Sequence, residues 1–145
     1  MPLPQPVPGL VVRYSYLWRT EQQNGQEEGS KDRPCAVILV TTDDRGDQVV
    51  TVLPITHTPP SNPLLAVEIP AATKRRLGLD DERSWIVLTE ANRFVWPGPD
   101  LRQSQSGDLS SVAYGLLPRA LFKEMAAKFC DLVAAHQARV VPRTE

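Results

Sequence analysis

The chain has 145 residues, 41% of them apolar, which suits a single domain built on one hydrophobic core. No apolar stretch approaches the roughly 20 residues that cross a bilayer, and the start shows neither a basic nor an apolar leader segment, so a cytoplasmic protein without a membrane partner is expected. A net charge of −1, from 16 Lys and Arg against 17 Asp and Glu, excludes nucleic-acid binding driven by overall charge and leaves only a local patch for it.

Pro2, Pro4, Pro6 and Pro8 lock φ and remove amide donors, so 1–9 reads as a flexible arm that stays out of any sheet interior. Residues 10–18 are rich in β-branched and aromatic side chains, and Val12, Tyr14, Tyr16 and Trp18 share one side of a period-2 pattern, which predicts a first strand. The polar segment 19–32 has no apolar period and reads as a long mobile loop. Apolar runs at 35–40 and 49–53, separated by T-T-D-D-R-G-D-Q, predict a hairpin. Two more strands are expected at 65–69 and 85–88, with a short helix between them that starts after Pro70 and stops at Gly78. Inside it, Lys74, Arg75 and Arg76 are one candidate basic patch for RNA, although such a run most often reads as solvated surface.

A second polar loop is expected at 97–111 and a strand at 112–116. Leu121, Met125, Phe129, Leu132, Val133 and His136 then recur at helical spacing after Pro118, predicting a helix over 118–137 that lays this stripe on the sheet. Cys35 and Cys130 lie in apolar contexts far apart in sequence and read as buried reduced thiols. The fold class is mainly β, with one domain over 10–137 and a tail at 138–145.

The chain lacks the P-loop, the dinucleotide fingerprint, the nucleophile elbow and the H-E-x-x-H pair. With only His57 and His136, a histidine-rich metal centre is not available, and no metal or other cofactor is expected. His136 belongs to the apolar stripe and reads as a packed residue, which leaves His57 for proton transfer. Arg33 precedes Pro34, which restrains it to an extended conformation. Thr56 and His57 end the partner run after Pro54, so hairpin pairing makes Arg33 and Thr56 neighbours. A surface ion pair at Arg33 with a plain T-H-T-P-P turn is the competing reading of the same residues. Lys31, Arg93 and Arg102 add local positive charge, and Trp18, Phe94 and Trp96 suit either base stacking or the core.

The opening P-G-L-V-V, the block G-S-K-D-R-P-C-A-V-I-L-V at 29–40, the strand end L-P-I-T at 53–56 and the C-terminal helix together resemble successive parts of the MazF/PemK toxins. The resemblance implies an SH3-like β-barrel with a short helix and a C-terminal α-helix. It also implies a homodimeric, sequence-specific endoribonuclease that inhibits growth, cuts single-stranded RNA, binds no DNA alone and is neutralised by an antitoxin. It assigns Arg33 and Thr56 to the catalytic pair. The segment T-E-A-N-R-F-V-W at 89–96 stands where the family carries an acid-glutamine pair and a basic residue, and here only Glu90 and Arg93 echo that pattern. Glu90 is thus a second candidate base beside His57. RNA cleavage of this kind uses the 2′-OH as nucleophile and needs no metal, with Arg33 stabilising the phosphorane. A non-catalytic SH3-like interaction module that holds a peptide or antitoxin is the alternative function.

Overall fold

The computed structural model describes residues 4–20, 32–102 and 112–143, so most of the expected 19–32 loop, part of the 97–111 loop and Lys31 lie outside the described residues. Within them the chain is mainly β: nine strands join one sheet, accompanied by two α-helices. Three antiparallel strands form its centre, β1 (Leu10–Tyr14), β2 (Arg33–Thr42) and β3 (Gln48–Thr56). The β2–β3 connection is the expected turn. Asp43 Oδ1 accepts the amides of Arg45 and Asp47, both at 2.9 Å, and Gly46 takes φ 84°. A bulge follows, since Val37 faces Val52 whereas Leu39 faces Thr51, leaving Ile38 as the extra residue.

The outer edges of this centre are each shared by two strands. The first half of β3 pairs with β6 (Glu90–Val95), while its end pairs with β5 (Trp85–Val87), which in turn holds β4 (Ala66–Glu68). On the far side β1 is divided between β8 (Ala113–Leu116) and β7 (Leu101–Arg102). Among the described residues no ladder joins these two sides, so the pairing does not close. Helix α1 (Ala71–Leu77) lies between β4 and β5, and α2 (Arg119–Ala134) follows β8.

Over β1, the first half of β2 and most of β3 both faces of the sheet are buried, which explains why these stretches carry apolar residues in succession rather than in strict alternation. One face gathers Val12, Tyr14, Cys35, Val37, Val50, Val52 and Phe94. The other gathers Val11, Ala36, Ile38, Leu53 and Ile55 against Leu77, Leu121 and Met125 of the helices. As the period-2 reading of 10–18 requires, Tyr14, Tyr16 and Trp18 fall in the same cluster, although the paired strand ends at Tyr14.

Three expectations about the C-terminal region are corrected. Helix α2 stops at Ala134, and His136, at φ 59°, turns the chain back in a left-handed conformation instead of packing on the helix stripe; it is exposed, and Val133 is 46% exposed. Cys130 lies on the solvent side of that helix and is exposed, whereas Cys35 is buried. Beyond residue 137 the chain forms β9 (Arg139–Pro142), which pairs in parallel with β6. The reversal at His136 lays R-V-V-P beside β6, and Val141 is buried there.

Arg143 then closes a polar network inside the fold. Its Nη1 donates to Ser15 O at 2.7 Å and to Asn92 Oδ1 at 3.0 Å, and its Nη2 meets Asp100 Oδ2 at 3.1 Å. Asn92 spans to Leu17 in both directions, accepting its amide and donating to its carbonyl, each at 2.8 Å. Paired in this way, polar groups are held inside without the penalty of an unmade hydrogen bond.

Candidate functional site

The β2–β3 register sets Cys35 opposite Pro54, and continued two residues outward it sets Arg33 opposite Thr56. Both residues line one cavity of about 460 Å³, together with Trp18, His57, Lys74 and Asp80. Pairing of Thr56 with Trp85 brings the segment before β5 alongside the end of β3. Helix α1 brings the rest. Gly78, at φ 73°, donates its amide to Arg75 O, and Leu79 donates to Lys74 O at 3.0 Å, a Schellman ending that turns the chain so that Asp80 faces Lys74.

Arg33 is held but incompletely bonded. Its guanidinium lies 4.8 Å from the centre of the Trp18 ring, a cation–π contact, and Nη1 reaches Ile55 O at a long 3.4 Å. The buried Nε has no hydrogen-bond partner among the described residues. Asp32, on the same cavity, has its charge turned toward Arg102 at 3.5 Å and Arg13 at 4.0 Å. Thr56 Oγ1 accepts the amide of Thr58 at 3.2 Å, which leaves its own O–H to donate.

The second half of the site is a chain of polar groups. Lys74 is 4% exposed; its Nζ donates to Asp80 Oδ1 at 2.5 Å, to Ser84 Oγ at 2.6 Å and to the carbonyl of Glu82. These three acceptors match the three protons of an ammonium, so Lys74 is a structural cation with none left for a ligand. The other oxygen of Asp80, Oδ2, meets His57 Nε2 at 2.7 Å. Partial burial alone would raise the Asp80 pKa, but the hydrogen bonds and charges of Lys74 and His57 outweigh it and hold the carboxyl below its ordinary value. The reading of Lys74 as part of a solvated run is thereby corrected: Thr73, Lys74 and Leu77 share the buried face of α1, while Arg75 and Arg76 are exposed.

Of the residues expected at the site, Arg33, Thr56, His57 and Trp18 are brought together. Glu90 is not: it opens β6 away from the cavity lining, and its Oε1 accepts Tyr16 Oη–H at 3.1 Å and the Arg19 amide at 2.9 Å. That carboxylate in turn adds to burial in raising the Tyr16 pKa. Phe94 is 3% exposed and stacks on Tyr14 at 4.6 Å, so it has no face to offer a base. Trp96 is half-buried against Phe94, and Arg93 is exposed on β6; neither lines the cavity. Lys31 lies outside the described residues.

Sequence reading picked out Lys74 only as part of a surface charge run, missing its inward role, and missed Asp80 and Ser84. A signal was present, since Lys74 precedes Leu77 by three on a helix ended by Gly78, with Asp80 just past the reversal. His57, Asp80 and Glu82 place donor atoms within 4.8 Å of one another, as a metal site would. The ammonium of Lys74 already neutralises Asp80, however, and a divalent ion bound there would meet that charge at close range, so the cluster fits an ion-paired network better than a cation site. Comparison with known proteins finds no family model that matches the chain and no matching curated protein, so the function is read from the site's own chemistry.

Proposed function

We propose that the chain is the toxin of a type II toxin–antitoxin pair. It would be a metal-independent, sequence-specific endoribonuclease of the MazF/PemK kind that cuts single-stranded messenger RNA in the cytoplasm and inhibits growth. On this reading the two-faced sheet is an SH3-like barrel, the active species is a homodimer, and a cognate antitoxin covers the cavity. One observation carries the proposal: Arg33 lines the same cavity as Thr56 with an under-bonded guanidinium, its Nη1 held only by a long 3.4 Å contact to Ile55 O and its Nε without an acceptor among the described residues. A phosphate supplies the acceptors that such a fork lacks.

In the reaction, the 2′-oxygen attacks phosphorus as its proton passes to a base, and the bond to the 5′-oxygen breaks as that oxygen takes a proton from solvent. Arg33 neutralises the charge that gathers on the phosphorane oxygens, and Thr56 donates to one of them. Trp18, beside Arg33, offers a partly exposed ring to an unpaired base.

The test is incubation of the purified protein with mixed-sequence RNA. Cleavage is expected to persist in EDTA and to leave a 2′,3′-cyclic phosphate and a 5′-hydroxyl. Arg33→Ala and Thr56→Ala should each lower the rate by about 10²- to 10³-fold while circular dichroism stays unchanged. Fragments with 5′-phosphates, loss of cleavage on chelation, or wild-type rates in Arg33→Ala would overturn the proposal. The alternative, a non-catalytic interaction module, draws on the adjoining groove of about 350 Å³ lined by Trp18, Pro59, Pro60 and Leu65, whose chemistry suits a peptide. It predicts peptide binding with no RNA cleavage.

A further inference from the structure

We propose that Asp80, locked in place by Lys74, is a positioning residue that holds His57 as the general base of the cavity, with the ring's Nδ1 left to receive the proton of the attacking hydroxyl. The inference rests on the ribonuclease reading for its substrate and on geometry for everything else.

A carboxylate on a flexible loop rotates freely unless one oxygen is tied. Here Oδ1 is tied by a buried ammonium whose remaining donors are taken by Glu82 O and Ser84 Oγ, so the plane of Asp80 is fixed from below. Its Oδ1 also accepts the Glu82 amide at 3.2 Å. The second oxygen is then the one that meets His57 Nε2, at 2.7 Å. An ionised carboxylate only accepts hydrogen bonds, so the neutral imidazole must carry its proton on Nε2, and the lone pair is left on Nδ1. Glu82 Oε2, 3.8 Å from the same Nε2, adds a second negative charge on that side of the ring and reinforces the choice.

His57 directly follows Thr56, and both line the cavity with Arg33. When Nδ1 takes the 2′-OH proton, the ring becomes an imidazolium whose charge Asp80 offsets, and the proton later returns to solvent. The half-exposed setting of the ring, 48% for its side chain, gives solvent that access. The logic is that of other acid–histidine pairs, in which the acid sets tautomer and orientation without itself taking the proton.

The test joins spectroscopy to kinetics on the full chain. Two-bond nitrogen–proton spectra of the His57 ring should show the Nε2–H tautomer in the wild type, and Asp80→Asn should abolish that preference. On RNA, His57→Ala should lose at least about 10²-fold in kcat, and Asp80→Asn at least about tenfold with KM little changed. Asp80→Glu should restore part of the loss. Because Asp80 acts through His57, the double variant should be no slower than His57→Ala alone. An Nδ1–H tautomer in the wild type, a wild-type kcat in Asp80→Asn, or additive losses in the double variant would overturn the inference while leaving the ribonuclease reading in place. A wild-type protein that leaves RNA uncut would overturn the ribonuclease reading and the base role together, and the ring spectrum would still report whether Asp80 sets the tautomer.

Discussion

Cys35 and Cys130 occupy opposite environments, and their chemistry should differ accordingly. Burial pushes the Cys35 thiol well above its ordinary range, and the positive charges of Arg33 and Arg143 recover only part of that shift. In the native protein a disulfide reagent should therefore modify Cys130 quickly and Cys35 only after denaturant is added; two fast thiols in the native state would contradict this placement. Lys74 makes the complementary point about legibility. Within a K-R-R run it looks like any solvated charge, and only the phase of a seven-residue helix puts it inward beside Thr73 and Leu77. Lys74→Met should lower stability by about 1.5–3 kcal/mol in urea titrations, the range for hydrogen bonds to a charged group. The pH dependence follows from the partner. Asp80 titrates below its ordinary value in the folded state, so its contribution is complete above about pH 4 and is lost as the pH falls through the folded value. In Lys74→Met that acid-side loss should shrink.

Elements whose signals are local were the legible ones. The β2–β3 hairpin, the helix between Pro70 and Gly78 and the strand at 113–116 all lie where apolar runs and turn residues put them. Strand β9 was not legible, because R-V-V-P carries no period of its own and becomes a strand only when the edge of β6 is there to pair with. The sharing of β3 between β5 and β6 was hidden for the same reason: which strand takes an edge is decided by packing across the sheet, not along the chain. Strand β8 carries a sharper test of packing. Gly115 has φ 140°, and a Cβ there would stand 2.9 Å from Leu77 Cδ2 in the core. Gly78 has φ 73° but open space around it. Gly115→Ala should therefore cost about 1–3 kcal/mol, and Gly78→Ala about 1 kcal/mol or less, with the order of the two urea midpoints as the check.

At the scale of the whole molecule, half of the candidate site was legible because hairpin register relates Arg33 to Thr56 without knowledge of the remaining fold. The Lys74–Asp80–His57 chain needed α1, its glycine ending and the β3–β5 pairing at once, and no window of sequence contains all three. The proposed homodimer belongs to this scale too, and light scattering at micromolar concentration should return twice the mass of one chain. Arg143 adds a constraint on timing. Its guanidinium joins residues separated from it by 128 and 51 positions, so the closing contacts of the fold are also among its least local. Contacts this distant carry the largest loop-closure cost and are expected to form after the hairpin core, contributing little at the folding barrier. Arg143→Ala, which also takes the 3.1 Å partner from buried Asp100, should cost about 3–5 kcal/mol. In stopped-flow experiments that loss should appear as faster unfolding with a nearly unchanged refolding rate. The arginine then acts as a latch on the native state: it governs how long a folded molecule lasts rather than how quickly one is made.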